Sequence, residues 1–152
     1  METQNYTRGG FKVNVVKRGF VCSAFDLLHA GHVLLLKECK ENCDYLTVGL
    51  QVDPSLERKD KNKPIQSLVE RQIQLEGCRF VNEIIVYETE KDLEEILKIG
   101  NFDVRFLGAD YQDGRKKITG ETLCPIHYVS RNHGYSSTEL RERIRHEKKN
   151  RN

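Results

Sequence analysis

Two histidines, His29 and His32, stand where the sequence changes from a strand pattern to a helix pattern. Residues 19–24 are rich in apolar, β-branched and aromatic side chains and predict a buried strand, whereas residues 33–39 predict a helix. The start of a helix attracts anions because its first N–H groups lack internal partners and its dipole is positive there. Both imidazoles fall on one face of the first turn, where they can donate to the same phosphoryl group. Gly31 lacks a Cβ, so we expect it to let a ligand approach the backbone.

These histidines belong to the segment FDLLHAGH, residues 25–32, which resembles the HxGH signature of a family of nucleotidyltransferases. That family contains the glycerol-3-phosphate, choline-phosphate and ethanolamine-phosphate cytidylyltransferases and related sugar-phosphate adenylyltransferases. An isolated HxGH motif arises by chance in many proteins. A second segment far along the chain, RNHGYSST at residues 131–138, resembles the RTEGISTT signature of the cytidylyltransferases. The resemblance extends over residues 18–144, which is nearly the whole chain.

The resemblance implies a reaction in which a phosphate on a small alcohol or sugar attacks the α-phosphorus of a nucleoside triphosphate and releases pyrophosphate. The nucleophile is already an anion at neutral pH, so the protein has to position the reactants and neutralise charge on an in-line transition state. The implied substrates are CTP and a small phosphorylated alcohol similar to glycerol 3-phosphate. Mg²⁺ is expected to bind together with the nucleotide, and no residue is predicted to bind a metal by itself.

The catalytic groups implied by the resemblance are donors and cations. The two histidines would hold oxygens of the α- and β-phosphates, and Arg131 would stabilise charge on the leaving phosphates. The lysine loop of the family corresponds to Lys59, Lys61 and Lys63, of which we favour the first two, and a solvated lysine run is the alternative. The predicted catalytic residues are His29, His32, Lys59, Lys61 and Arg131.

The same resemblance implies which residues bind the substrates. Serines and a threonine at residues 136–138 would cap the last helix and turn its N–H groups toward the β- and γ-phosphates. Asp110 would accept a hydrogen bond from the base or ribose. Asp26 would orient the phosphate site or a magnesium shell, and Arg71 would contact the acceptor phosphate or brace the site, with a surface ion pair as its alternative. The predicted nucleotide-binding residues are Ala24, Phe25, His29, His32, Asp110, Arg131, Ser136, Ser137 and Thr138, and the predicted acceptor-binding residues are Asp26 and Arg71.

Two alternatives to cytidylyl transfer follow from particular segments. Arg131 and the spacing to Gly134 favour the cytidylyltransferases, but residues 108–111, GADY, look more like the adenylyl relatives acting on a sugar phosphate. Ser23 and Ala24 stand where relatives carry glycine and threonine, which removes a hydroxyl donor at Ala24. The serine also raises the question of whether position 23 needs a positive φ or close approach of the nucleotide. A nucleotide-binding module without turnover is therefore the third interpretation.

Composition narrows the classes of protein further. The chain has 152 residues and a formal net charge of +2, so neither nucleic acid nor a membrane surface is expected as a partner. The five cysteines are odd in number and form no C-x-x-C pair, which indicates reduced thiols in a cytoplasmic protein. Cys39 and Cys43 are four residues apart on a predicted helix and are expected to be buried rather than to bind metal. We expect no signal peptide and no membrane span.

The elements that position these residues alternate between strands and helices. This pattern predicts a single-domain, Rossmann-like, three-layer α/β fold with a mostly parallel five-stranded sheet. Ligand-binding loops then meet at the carboxyl ends of the strands. The helix at 67–77 is expected to bury Leu68, Ile73 and Leu75. The predicted strands are 19–24, 45–50, 83–87, 104–107 and 126–130, and the predicted helices are 33–39, 67–77, 92–99 and 137–145.

The chain is divided by these patterns into three parts. Residues 1–17 are expected to be a loose leader or arm, in which residues 11–15 form an edge strand or an arm over the domain. Residues 18–145 are expected to form the nucleotidyltransferase-like domain, and residues 146–152 a charged tail that frays. Residues 79–83, RFVNE, resemble the RYVDEV segment at the dimer interface of glycerol-3-phosphate cytidylyltransferases. A homodimer through Arg79 to Glu83 is therefore implied by the resemblance.

Overall fold

The computed structural model describes residues 5–8 and 11–150, with side chains described from residue 15 to residue 147. Within that part of the chain, no helix is both long enough and apolar enough to cross a membrane. The strands are β1 (Asn5–Arg8), β2 (Phe11–Asn14), β3 (Arg18–Ser23), β4 (Tyr45–Gln51), β5 (Glu83–Tyr87), β6 (Val104–Gly108) and β7 (Ile126–Val129). The α-helices are α1 (Ala30–Glu41), α2 (Leu68–Glu76), α3 (Glu90–Ile99) and α4 (Ser137–Asn150).

The main sheet has five strands in the order β5-β4-β3-β6-β7, and every neighbouring pair is parallel. The predicted α/β fold with a five-stranded parallel sheet is confirmed. Because the chain runs outward from β3 through β4 to β5 and then returns to β6, the strand order reverses beside β3. A crevice opens at such a switch point beyond the carboxyl ends of the strands.

Each face of the sheet has its own apolar core, since successive side chains of a strand point to opposite faces. One cluster joins β3, β4 and β6 to α1 and α2 and includes Val21, Leu36, Val48, Leu75 and Phe106. The other lies under α3 and includes Phe20, Tyr87, Leu93, Leu97, Phe102 and Cys124. The helices therefore cover both faces, as the three-layer prediction requires.

Capping residues move two helix starts relative to the prediction. Helix α1 begins at Ala30 rather than at residue 33, and α3 begins at Glu90 rather than at residue 92, because Thr89 and Asp92 form a capping box there. The predicted burial of Ile73 is wrong, since its side chain is 62% exposed. Helix α2 faces the core with Arg71 and Leu75, which are four residues apart and both buried, so Ile73 lies on the outer side.

The N-terminal segment forms a separate antiparallel hairpin in which β1 pairs with β2, Asn5 opposite Asn14. The strand predicted from residue 11 is therefore part of this hairpin and not an edge of the main sheet, and residues 5–8 of the predicted leader are a strand. Residues 1–4 and 9–10 lie outside the described residues. Helix α4 continues to Asn150, so the predicted charged tail is largely helical.

The five cysteines are free thiols, as predicted. Cys39 and Cys43 are buried in the core beneath α1, where the Cys43 thiol donates to the carbonyl oxygen of Cys39 at 3.3 Å. Burial raises the pKa of both thiols. They pack as small apolar side chains.

Candidate active site

The two histidines close the N-terminus of α1 through a reciprocal pair of hydrogen bonds. The backbone N–H of Gly31 donates to Nδ1 of His29 at 3.0 Å, and the backbone N–H of His29 donates to Nδ1 of His32 at 3.3 Å. His29 is thus the N-cap residue, and His32 completes a capping box. Because both Nδ1 atoms accept, each neutral ring carries its hydrogen on Nε2.

The surroundings keep both imidazoles uncharged at neutral pH. Burial lowers the pKa of His32 to about 4, with a further decrease from His29 and an opposing increase from Asp26. Burial also lowers the pKa of His29, and His133 and Arg131 lower it further. The two rings stack with their centroids 3.9 Å apart. The helix start therefore presents two neutral Nε2–H donors side by side.

Gly31 makes room for this ring packing. Its expected role in letting a ligand approach the backbone stays a prediction. A Cβ at residue 31 would lie 2.9 Å from Cε1 of His29 and 3.0 Å from Cε1 of His133. Both distances are shorter than ordinary carbon–carbon contacts. A larger side chain here would displace the capping histidine, so the glycine fixes the position of its ring.

The N-terminus of α4 lies directly against that of α1. The Ser137 hydroxyl is 3.1 Å from Nε2 of His29, across 108 residues of sequence. Ser136 caps α4, since its hydroxyl oxygen accepts from the backbone N–H of Glu139 at 3.1 Å. Thr138 and Arg131 line the same cleft. The structure thus brings the two sequence motifs together, with two positive helix ends facing one space.

That space is a cleft of about 490 Å³ across the carboxyl ends of the central strands. Ala24 and Phe25 line it beside the histidines, and the buried Phe25 ring lies 5.4 Å from that of His32, centroid to centroid. Phe25 and Leu27 have φ of 46° and 52°, a left-handed conformation that shapes the loop before α1. Ser23 is not in that region, so its position does not need the backbone freedom of glycine.

Only one of the three candidate lysines lines the cleft. The backbone N–H of Lys61 donates to the carbonyl oxygen of Arg58 at 3.1 Å, and this turn directs the side chains of Arg58 and Lys61 into the cleft. Lys59 and Lys63 are exposed and lie outside the cleft lining. The structure therefore favours Lys61 over Lys59, and a catalytic role for either lysine stays a prediction.

Asp26 is a buried support for the cleft rather than a free ligand. One carboxylate oxygen accepts from the backbone N–H of Gln66 at 2.9 Å. The other accepts from the N–H of Ile65 at 2.9 Å and pairs with the guanidinium of Arg141 at 2.7 Å. Its side chain, which is 8% exposed, thereby joins the loop before α1 to the loop before α2 and to α4. Direct acceptor binding by Asp26 is not the role its contacts show, because both oxygens are already occupied.

Arg71 braces the loops from beneath. Its side chain is buried, and Nη1 donates to the carbonyl oxygens of Ala24 and Gln51 at 2.9 and 2.7 Å, while Nη2 donates to that of Val52 at 2.7 Å. These carbonyls lie at the carboxyl ends of β3 and β4. Of the roles predicted for Arg71, the structure shows the brace. Contact with an acceptor phosphate and a surface ion pair are both contradicted by its burial.

Asp110 lies at the rim of the cleft in a short 3₁₀ turn after β6, where it forms an ion pair with Lys116. Burial by itself would raise the pKa of Asp110. The hydrogen bond and the charge of Lys116 outweigh this effect, so the pKa of the carboxyl is lowered. The adjacent Tyr111 hydroxyl accepts from Arg58 at 3.4 Å. The side chain of Asp110 remains partly exposed, so a nucleotide can reach it.

Sequence reasoning missed four basic residues that line the cleft, namely Arg58, Arg105, Lys117 and Arg141. Arg141 follows Ser137 by four residues on α4, so helical spacing was a signal that could have placed its side chain on the same face of the helix. The position of Arg58 depends on a turn that has no glycine or proline signal. Lys117 lies in the long loop between β6 and β7, whose path the local sequence does not determine.

The described residues contain no group of three or more histidine, cysteine, aspartate or glutamate side chains that could hold a metal ion. Asp26, the acid expected near a magnesium shell, has both oxygens bound to other groups. The expectation that Mg²⁺ binds together with the nucleotide stays a prediction.

The sequence profile of the family described as Cytidylyltransferase-like matches residues 20–143. The chain is 31% identical over 129 residues to the glycerol-3-phosphate cytidylyltransferase of Bacillus subtilis strain 168, covering 85% of this chain and 98% of that protein. It is 35% identical over 127 residues to the bifunctional protein HldE of Campylobacter concisus strain 13826, covering 83% of this chain and 26% of that protein. The chain therefore spans about a quarter of the length of this HldE relative.

A solved structure shows the same fold. The lipopolysaccharide core biosynthesis protein of Thermoplasma volcanium GSS1 is similar with a TM-score of 0.63 and 24% sequence identity, covering 78% of this chain and 100% of that chain. The family profile spans the strand-to-helix turn, the cleft and the start of α4. The chain belongs to the cytidylyltransferase-like family.

Proposed function

We propose that this protein transfers CMP from CTP to a small phosphorylated alcohol of the glycerol 3-phosphate type and releases pyrophosphate. The observation that carries the proposal is the 3.1 Å contact between Nε2 of His29 and the Ser137 hydroxyl. It unites two helix N-termini, a histidine pair and Arg131 around one cleft. Such an arrangement supplies donors and positive potential to a polyphosphate.

In the proposed reaction, an oxygen of the acceptor phosphate forms a bond to the α-phosphorus of CTP. The bond between the α-phosphorus and the oxygen bridging to the β-phosphate breaks, and that oxygen leaves with pyrophosphate. The Nε2–H groups of His29 and His32 donate to phosphate oxygens as negative charge increases there. Arg131 and the N–H groups at the start of α4 receive the leaving pyrophosphate. No proton has to be removed from the acceptor.

The supporting residues determine how well these donors are placed. Asp26 fixes Arg141 and the loop before α2, and Arg71 fixes the carbonyls at the ends of β3 and β4. Small misplacements of reacting groups lower rates strongly, because the bound geometry must approach that of the transition state. Mg²⁺ bound to the triphosphate would neutralise charge on the phosphate oxygens. We assign no protein ligand to it.

The proposal is tested by measuring pyrophosphate release from CTP, ATP, GTP and UTP with Mg²⁺ and a panel of phosphorylated alcohols and sugars. We expect release with CTP and a phosphorylated alcohol. His146→Ala is the matched control for substitutions of His29 and His32, because the side chain of His146 is 69% exposed on α4 and lies outside the cleft lining. Binding of CTP without pyrophosphate release from any pair would contradict the proposal and favour the module without turnover.

Adenylyl transfer to a sugar phosphate is the second candidate. It is supported by the segment at residues 108–111, which forms the rim turn that carries Asp110 and Tyr111 beside the cleft. The same assay decides between the two reactions. A higher kcat/KM with ATP than with CTP would replace cytidylyl transfer by this alternative.

A homodimer is proposed through Arg79 to Glu83, on the basis of the sequence resemblance. This segment connects α2 to β5, which is an edge strand of the main sheet. Phe80 and Val81 pack on the core, and the guanidinium of Arg79 lies 4.9 Å from the centre of the Phe80 ring. Light scattering after gel filtration should give twice the chain mass of 17.7 kDa, whereas a monomer would contradict the proposal.

A further inference from the structure

A row of polar side chains lies on the face of the sheet covered by α3, away from the histidines. The strand register pairs Phe20 with both Thr47 and Arg105, and pairs Gln51 with Tyr87. Because side chains alternate along a strand, Cys22, Gln51, Tyr87 and Arg105 all project from this same face. Each of these four residues lines the cleft. We call them the polar row.

Arg105 is the charged member of the polar row and is only 3% exposed. Its Nη1 donates to the carbonyl oxygen of Thr119, and its Nη2 is 4.0 Å from the sulfur of Cys22. Its Nε has no hydrogen-bond partner. In the part of the chain that is described, no carboxylate oxygen lies within 4 Å of this guanidinium. A buried cation without a counter-charge is costly to maintain.

The neighbouring acidic groups do not supply that counter-charge. Burial raises the pKa of Tyr87, so its phenol stays protonated and neutral. Glu90, the acid at the start of α3, is paired with Nε of Arg58 at 3.2 Å and accepts from the hydroxyl of Thr119. Its negative charge is therefore already matched. The cleft near the polar row keeps an excess of positive charge.

A second donor in the polar row also lacks an acceptor. The side-chain amide nitrogen of Gln51 has no hydrogen-bond partner, although the residue is only 6% exposed. Buried donors are nearly always paired in native proteins. Gln51 and Arg105 are both donors and both line the cleft. A ligand in the cleft with negatively charged oxygens would supply the acceptors and the counter-charge that the described residues do not provide.

We propose that the polar row is the part of the acceptor site that selects the far end of the substrate, and that this end carries an anionic group. The inference rests on the proposed function and deepens it. The acceptor is then the phosphate ester of a hydroxy acid, with its phosphate near the histidines and its carboxylate directed toward the polar row, where Arg105 supplies the positive charge and Gln51 a further donor. The group held by the polar row takes no part in bond making.

The test compares two acceptors that differ only at the far carbon, 3-phosphoglycerate and glycerol 3-phosphate, with wild-type protein and Arg105→Met, a variant of similar length without charge. We expect kcat/KM to favour 3-phosphoglycerate by about 10- to 100-fold, the range for charge-assisted hydrogen bonds, and Arg105→Met to abolish this preference. Gln51→Met should reduce the preference in part. Arg145→Met is the matched control, since Arg145 is 71% exposed on α4.

Two results would overturn the inference. One is wild-type protein that uses glycerol 3-phosphate as well as or better than 3-phosphoglycerate. The other is Arg105→Met protein that loses activity equally with both acceptors and keeps the ratio, which would show that Arg105 only holds the Thr119 loop. Should this variant fail to fold, the wild-type ratio and Gln51→Met decide the same question.

Failure of the proposed function is recognised separately. In that case no acceptor gives pyrophosphate, but titration calorimetry with 3-phosphoglycerate and no nucleotide still reports on the polar row. Binding of 3-phosphoglycerate that is lost in Gln51→Met and Arg105→Met would then support the anion site without the transfer reaction. Absence of binding, together with absence of turnover, would contradict both.

Discussion

Replacement of His32 tests the roles assigned to the imidazole atoms one at a time. His32→Ala removes both the Nε2–H donor and the Nδ1 acceptor of the capping box. His32→Asn keeps an acceptor near the position of Nδ1 and loses the distal donor, whereas His32→Gln places an amide N–H close to the position of Nε2. The three variants therefore separate the helix cap from the phosphate contact.

The expected magnitudes follow from the contacts. Loss of a preorganised donor to a charged transition state lowers kcat by about 10²- to 10³-fold, or about 2.7–4 kcal/mol. The capping bond from the N–H of His29 is 3.3 Å long, and a neutral bond of this kind contributes about 0.5–1.5 kcal/mol to stability. A domain with a stability of about 5–15 kcal/mol stays folded after that loss. We thus expect a large effect on rate and a small one on folding.

The assay combines single-turnover pyrophosphate release with urea unfolding of each variant. His32→Asn should match wild type in stability to within about 0.5 kcal/mol and match His32→Ala in its loss of rate. His32→Gln should recover part of the rate. His146→Ala should behave as wild type. A full rate in His32→Asn, or a loss of rate that follows the loss of stability across the series, would refute the donor role.

Three further predictions concern pH, support and charge. The pKa of His32 is about 4 in the folded chain and about 6.5 in the unfolded chain, so the unfolded state binds more protons between these pH values. The free energy of unfolding should therefore fall by about 3 kcal/mol as the pH decreases from 6.5 to 4. Urea unfolding of His32→Asn should lack this pH-dependent part. Asp26→Asn leaves Arg141 without its charged partner and should lower the free energy of unfolding by about 3–5 kcal/mol in the same urea experiment. A decrease below about 1 kcal/mol would contradict the role of Asp26 in supporting the cleft. Lys61→Ala should raise the KM for nucleotide while Lys59→Ala does not, and equal effects would contradict the orientation of their turn.

The sequence was sufficient for the sheet because its strands are short apolar runs rich in β-branched residues. Such runs fit strands buried on both faces, as β4 shows. Helix starts were less predictable, since His29 is an uncommon N-cap residue and its role depends on its ring accepting from Gly31. Ile73 was misjudged because α2 buries an arginine on its core side, where an apolar residue is the ordinary expectation.

Site residues next to a helix start could be predicted from the sequence. Site residues whose positions depend on contacts between distant parts of the chain could not. His29, Ser137 and Arg131 were found from motifs, and the structure places them around one cleft. Arg105 interrupts an apolar strand, and this single charge was the available signal for the polar row. The surroundings of Arg105 depend on β3, β4 and β5, which carry the other members of the polar row, and on the loop that carries Thr119. The local sequence around Arg105 does not encode these contacts.

Arg71 also affects how the cleft responds to acid. Guanidinium groups keep their proton under all ordinary conditions, even though burial lowers the pKa of this one. The carbonyls that it ties together therefore remain tied while nearby imidazoles change charge. Activity lost when acid protonates the imidazoles should return on neutralisation, since the loops that Arg71 braces have kept their places.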